Sequence, residues 1–319
     1  MKYIPRIFFF CITVFPIIAL AHVKWFAEEK EYVRPYEVTD IHVISAFIGV
    51  VFLLCIGIYL EKKMQVSKKL HQVIEKMAPY VLSLASIGFG LAFIIFTIQG
   101  FIFAPNLLAD GTLGTVMLIL QGVAGMMILF GLYEKIGGLL ILLLFTLGIG
   151  KCGSFEMLDT LEMVGFALYA CIVGRPLWKI KEAHALERIT HRIHAYGYPL
   201  LRVGVGLNLM VLGFTEKILD PGLTKDFLHH YNWNVMQQFG MSDYWFAFYA
   251  GVTEATFGLF FLFGLVTRTT TLTLAVFLVT TLYLLGPVEL IGHLPHFSIV
   301  LVMIVLGCGT RFVLLDHKK

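Results

Sequence analysis

Residues 286–307, GPVELIGHLPHFSIVLVMIVLG, have a counterpart upstream. Moved back 133 places, the segment lies without a gap on Gly153–Gly174, GSFEMLDTLEMVGFALYACIVG. Gly286/Gly153, Glu289/Glu156, Leu294/Leu161, Leu301/Leu168 and Gly307/Gly174 are identical. The same offset places Gly258–Leu265 on Gly125–Leu132, with five of eight positions identical. Earlier in each copy the offset is 116, which aligns IGFGL at 87–91 with VGVGL at 203–207, and APNL at 104–107 with DPGL at 220–223. The second copy therefore carries 17 extra residues after Leu223. Self-similarity on this scale implies two like units, so one architecture has to serve both.

The kind of unit follows from polarity. Only 14% of residues are charged and mean hydropathy is +0.84, whereas soluble domains carry about 25% charged residues. Apolar runs of roughly 18 residues or more read as membrane-spanning helices. Nine are expected: His42–Leu60, Pro79–Phe103, Thr115–Leu132, Ile136–Gly150, Leu158–Gly174, Pro199–Leu219, Tyr244–Val266, Thr270–Gly286 and His296–Phe312. The fold class is an all-α polytopic membrane protein, one span plus two parallel four-helix repeats. Lys2 and Arg6, the apolar Phe8–Leu20 and Ala19-Leu20-Ala21 have the order of a cleaved signal peptide over 1–21. An uncleaved first span is the alternative. Cleavage would leave His22 first.

The domain plan is then an outer segment, first span and basic linker (22–76), a first repeat (77–174), a linker (175–197), a second repeat (198–311) and a tail (312–319). With the amino terminus outside, 16 Lys and Arg fall inside against six outside. That bias predicts a cytoplasmic carboxyl terminus in a bacterial-type inner membrane. The basic linker places Leu186, Ile189 and Ile193 on one stripe, the pattern of an amphipathic helix on an anionic leaflet; His184, His191 and His194 there read as spectators. Net charge of +3 gives no reason to expect nucleic acid. The five cysteines have no CxxC spacing, which argues against dithiol relay chemistry.

The copies differ in polarity. Glu216 and Lys217 stand where the first copy has Gly100 and Phe101, Glu254 where it has Gln121, and Asp220 where it has Ala104. His293 and His296 replace Thr160 and Met163. Ionisable groups in or beside hydrocarbon are costly and suggest function. The first repeat reads as scaffold and the second as site-bearing, its cleft opening outward. Residues 223–239 place Leu223, Phe227, Tyr231 and Val235 at i+4 intervals, a helix able to roof that cleft, with His229 and His230 beside it. The alternative is that Glu216 pairs with Lys217, Glu254 supports packing, and His293 and His296 form an interfacial hydrogen-bonding pair.

The second repeat resembles the DoxX family of four-helix membrane proteins. The resemblance rests on Leu201-Arg202-Val203-Gly204-Val205-Gly206-Leu207, on Phe239-Gly240-Met241 leading to Glu254–Gly258, and on Phe263-Gly264-Leu265-Val266-Thr267-Arg268. It covers Tyr198–Arg311 well and Met77–Gly174 weakly. These are glycine-and-apolar signatures of helix packing. The family includes the small DoxD subunit of thiosulfate:quinone oxidoreductases and membrane partners of redox-stress proteins, so the resemblance implies a membrane redox role. This chain departs from it in being doubled and in its amino-terminal segment and extra span.

Three readings follow. The first is a quinone-linked membrane component of an oxidoreductase system, with Lys217, His293 or His296 holding the ring and Glu254 or Glu216 carrying protons; electrons would come from a redox partner protein, as no haem, flavin or iron–sulfur motif is visible. The second is a copper protein, in which the amine and imidazole of a mature His22 combine with His229, His230, His293 or His296. The third is a non-catalytic assembly scaffold in the bilayer.

Overall fold

A computed structural model describes residues 23–25, 33–64, 68–182 and 184–315. The signal segment and His22 lie outside the described residues. Among those residues the chain is helical, with two isolated β-bridges and no strand. A 3-10 turn, Val23–Trp25, precedes α1 (Ile41–Lys63), α2 (Lys68–Gln99), α3 (Gly111–Phe130) and α4 (Glu134–Cys152). Two shorter helices follow, α5 (Ser154–Leu158) and α6 (Leu161–Ile172). After α7 (His184–Thr190) come α8 (Gly197–Gly213) with a π-helical turn at Phe214–Ile218, and α9 (Pro221–Tyr231). The chain ends in α10 (Asp243–Phe263), α11 (Thr267–Leu285), α12 (Pro287–Gly292) and α13 (Leu294–Leu306).

Each of α2, α3, α4, α6, α8, α10, α11 and α13 packs on the next, and α13 packs back on α2. The eight close a ring. The fourth helix of each set thus touches the first helix of the other, so the halves interlock rather than standing as separate bundles. Helix α1 lies outside, against α10, where Leu60 packs with Phe260, Leu265 and Val266 and Glu61 accepts the Val266 N–H at 2.7 Å.

Hydrocarbon gives apolar faces no reason to leave it, so close packing holds such helices together. Here the approach is backbone on backbone. A Cβ on Gly204 of α8 would meet Gly165 Cα of α6 at 2.6 Å. The counterpart contact brings Gly88 of α2 onto the Ser298 side chain of α13. Similarly, Gly90 lies against Leu129 in the first half, and Gly206 against Leu262 and Gly258 in the second. Left-handed backbone recurs at the same interval: Gly131 and Gly264, Tyr133 and Val266, Gly153 and Gly286, Gly174 and Gly307 all have positive φ.

Several expectations need adjusting. Among the described residues seven helical runs are long and apolar enough to cross a membrane: 41–63, 69–99, 111–130, 134–152, 185–218, 243–263 and 267–285. The expected fifth and ninth spans are instead short apolar helices of 12 and 13 residues, α6 and α13, each preceded by a helical stub. Gly153 and Gly286 break the chain before those stubs. The basic linker is not separate from the next span, because α7 and a 3-10 turn run straight into α8 within one helical run, 185–218. The helix expected over residues 223–239 stops at Tyr231, where Asn232 turns left-handed (φ 50°) and ends it. Leu223 and Phe227 are buried as the stripe requires, whereas Tyr231 and Val235 are exposed.

If the Gly165–Gly204 contact sets the ring, Gly204→Ala should destabilise the protein by about 1–3 kcal/mol, the usual cost of overpacking. Gly150→Ala, where an added Cβ meets nothing within 4 Å, should leave it unchanged or slightly firmer. Thermal unfolding of the detergent-solubilised protein distinguishes the two; equal effects would remove the contact from its role.

Candidate functional site

The polar side chains collect at the end of the ring opposite Lys62, Lys135 and Arg268. At the carboxyl end of α8 the ladder widens into the π turn, with Leu219 N–H bonded to Phe214 C=O at 2.7 Å. Neighbours on an α-helix diverge by about 100°, and a π turn lets two adjacent residues face inward together. Glu216 and Lys217 use it that way and are 0% and 1% exposed.

Glu254, half-way along α10, is delivered by the closest approach of two helices. An added Cβ on Gly251 would meet Gly213 C=O at 2.5 Å and Lys217 Cβ at 2.8 Å. One turn on, Lys217 Nζ stands 2.9 Å from Glu254 Oε2 and 4.0 Å from Glu216 Oε2. The closer approach is an ion contact rather than an aligned hydrogen bond, since neither of its two atoms has a hydrogen-bond partner among the described residues. Glu216 Oε1 also lacks one. The chain's other half solves the same corner without charge. Gln121 donates to Phe101 C=O at 2.9 Å and accepts from Phe103 N–H at 3.0 Å.

His293 extends the cluster. It lies within electrostatic reach of Glu254, and its Nδ1 is 3.2 Å from Glu289 Oε2. Its ring lies 5.0 Å from that of His296, centroid to centroid. All three are buried. The short helix α12 ends at His293 and α13 begins on Pro295, so the break before the last helix aims both imidazoles inward.

A third contribution comes from the amino-terminal turn. Val23, fully buried against Leu223, Phe227, Phe246 and Ala250, donates its backbone N–H to Glu216 Oε2 at 3.0 Å. Lys24 bonds Asp159 at 2.5 Å and approaches Glu156 at 3.4 Å. Asp159, between α5 and α6, also accepts from the Thr215 hydroxyl at 3.5 Å. Burial raises the Asp159 carboxyl above its ordinary value despite Lys24. At Lys24 burial works against the charge, but the Asp159 carboxylate outweighs it and the ammonium is raised.

The structure therefore brings Glu216, Lys217, Glu254, His293 and His296 into one end of the ring. It does not bring His229 or His230 to them, for both are exposed at the end of α9. Among the described residues no three His, Cys, Asp or Glu side chains gather as a metal set. Glu289, Asp159 and Lys24 escaped the reading of the sequence as site residues. Glu289 was visible as the i, i+4 partner of His293; Asp159 and Lys24 meet only through folding. Asp159 and Glu162 (2% exposed) are buried acids of the first half, so costly charge is not confined to the second.

Residues 197–287 match the DoxX family model. The match makes that stretch of the chain similar to DoxX proteins, and the seven apolar helices among the described residues indicate a multi-pass integral membrane protein. No curated protein and no solved structure matches the chain.

Lys24→Ala should strand Asp159 in its buried position and destabilise the protein by about 1–3 kcal/mol. Because the Lys24 pKa is raised, its share of the stability is whole below the ordinary lysine value of 10.5 and is lost as pH climbs through the raised value. Wild type should therefore lose stability at high pH where Lys24→Ala does not. Parallel pH curves for the two would show that the tether contributes nothing.

Proposed function

We propose that this chain is the quinone-linked membrane component of an oxidoreductase system, with the Glu216–Lys217–Glu254–His293–Glu289 cluster handling the protons. One observation carries the proposal: a lysine–carboxylate contact at 2.9 Å, both side chains at most 3% exposed, beside a buried Glu–His pair. Chains of Glu, Asp and His within a membrane protein typically mark proton or ion pathways. A quinone ring needs a donor for its carbonyl and an acceptor for the hydroxyl formed there. Lys217 Nζ and Glu216 Oε1 have that character, and both lack a hydrogen-bond partner among the described residues. The residues fit the group.

A bound quinone would supply the chemistry of accepting two electrons and two protons at its carbonyls. Lys217 would hold the carbonyl as a donor and, in turning to it, loosen its contact with Glu254. Glu254 would keep a proton in store, and His293 with Glu289 would refill it from the rim. The two electrons would come from a partner protein's reduced centre.

The placement we infer alongside this is a bacterial-type inner membrane, with the amino terminus and site outside and the carboxyl terminus cytoplasmic; the distribution of Lys and Arg supports it. We also infer that the two helix sets descend from one duplicated unit. The paired glycine contacts and the four pairs of left-handed residues at an interval of 133 support this.

Quinone extracted from the purified full chain, together with quinone reduction in membranes that carry it, tests the proposal. Wild type should retain quinone. Glu254→Gln, which copies the amide of the other half, should keep quinone and the fold while slowing its reduction by about 100-fold or more. Lys217→Met should destabilise by about 3–5 kcal/mol, since it leaves two carboxylates without their cation; adding Glu254→Gln should recover part of that. Protein free of quinone, with reduction indifferent to all of these changes, would leave only a scaffold.

One observation favours copper as a second reading. Val23, the residue that follows His22 in the sequence, is buried with its N–H bonded to Glu216. An extra residue before His22 should then abolish copper binding; unchanged metal content would reject the reading.

A further inference from the structure

The opposite end of the ring holds a hollow that the proposed redox site does not use. It is lined by Lys135, Arg175, Lys179 and Lys181, against the acids Glu134 and Glu182. Its framework is rigid. Gly131, left-handed at φ 61°, ends α3, and its C=O accepts the N–H groups of Ile180 and Lys181 at 3.0 and 3.2 Å. Tyr133 N–H bonds Lys181 C=O at 2.8 Å, fixing the 175–182 segment to the α3–α4 corner. A side chain at residue 131 would be strained by the left-handed backbone, and its Cβ would press on the Arg175 guanidinium.

Most of the charge in the hollow is already matched. Glu134 accepts from the Ser86 hydroxyl at 2.7 Å and from Arg175 N–H at 2.9 Å. Glu182 pairs with Lys179, and Lys135 pairs with Glu187 while bonding Ile172 C=O and Thr190. Among the described residues two cations make no ion-pair contact with a carboxylate, although Glu134 lies within electrostatic reach of Arg175. Lys181 lies over the Tyr133 ring at 5.3 Å. Arg175, only 4% exposed, donates from one terminal nitrogen to Leu129 C=O at 3.1 Å, but its Nε–H has no partner among the described residues. A buried guanidinium with an unused donor, beside an unmatched lysine and the amino end of α4, is a site for an anion with several oxygens.

The surroundings decide which anion. Trp178 and Ile180 alternate with Lys179 and Lys181 and are 54% and 68% exposed. Trp178 rests edge-on against Tyr80 of α2, ring centroids 6.0 Å apart. Exposed Trp and Tyr at helix ends mark headgroup depth, and lysines at that depth attract anionic lipid. The geometry points to a phosphate site for an anionic phospholipid, the headgroup phosphate on Arg175 and Lys181 and the acyl chains along Trp178 and Ile180.

Native mass spectrometry of the full chain in detergent, titrated with phosphatidylglycerol or phosphatidylcholine, tests this. Wild type should bind one phosphatidylglycerol in preference to phosphatidylcholine. Lys179→Ala/Lys181→Ala, two exposed positions whose loss leaves the helix contacts intact, should weaken that first binding by about tenfold or more. Lys62→Ala/Lys63→Ala, equal in charge but at the end of α1, should not. Equal binding of the two lipids, or equal effects of the two double variants, would overturn the site. Inorganic phosphate added at millimolar concentration should not displace the lipid; full displacement would assign the hollow to free phosphate and overturn the lipid.

Discussion

In a membrane the desolvation that drives soluble folding has already been spent, and what remains to hold helices together is how closely their backbones can meet. The polar cluster at the end of α8 depends on that approach. Gly213 and Gly251 bring α8 and α10 together so tightly that a single Cβ would push Lys217 away. The Lys217–Glu254 contact follows one turn later. Widen the crossing by the breadth of a methyl group and the two charges would part, each in a place with little solvent to replace the other. The π turn has the same logic. It costs regular hydrogen bonding at the end of α8, and it places adjacent Glu216 and Lys217 both inside.

The closed ring gives each half a share in the other's site. Because α6 packs on α8, the loop before α6 carries Asp159 to Thr215 and to Lys24. A separate second bundle would have no such acid. The comparison of halves is therefore sharper in space than in sequence. Gln121 holds the 101–103 corner with an amide and closes that half with neutral bonds. Glu254 meets the equivalent corner through the Lys217 ammonium at 2.9 Å. A neutral solution to the same packing problem exists within the same chain, so stability alone gives no reason for the charged one.

Much of the architecture was legible because it rests on short-range patterns. The apolar runs, the glycines of 87–91 and 203–207, and the breaks at Gly153 and Gly286 all announce where helices run, meet and stop. The last helix of each half was misjudged in length because the apolar run outlasts the helix: α6 begins only after the turn at Asp159–Thr160, and α13 ends at Gly307 (φ 73°), short of Phe312. Residues 231–235 misled for a related reason: the i+4 stripe persisted past Asn232, whose left-handed turn outranks it. Within the site, the residues chosen by mismatch between copies, Glu216, Lys217, Glu254, His293 and His296, are drawn to one end. Those that mismatch could not reveal were missed. Glu289 is shared by both copies as Glu156, and so registered as a mark of repetition. Lys24 reaches Asp159 from 135 residues away, a distance no local pattern spans.

The cluster holds more acids than bases. Among the described residues, the buried carboxyl groups of Asp159, Glu216, Glu254 and Glu289, with Glu156 and Glu162 close by, stand against the ammonium groups of Lys24 and Lys217. Uncompensated charge is costly in so little solvent, and the Glu289–His293 contact and the reach of His293 to Glu254 set further ionisable groups side by side. A purely structural cluster would pair acids and bases one to one, as Gln121 and its corner satisfy each other. Ionisable groups set this close together, in excess of what pairing needs, are the arrangement that proton-handling sites in membranes share.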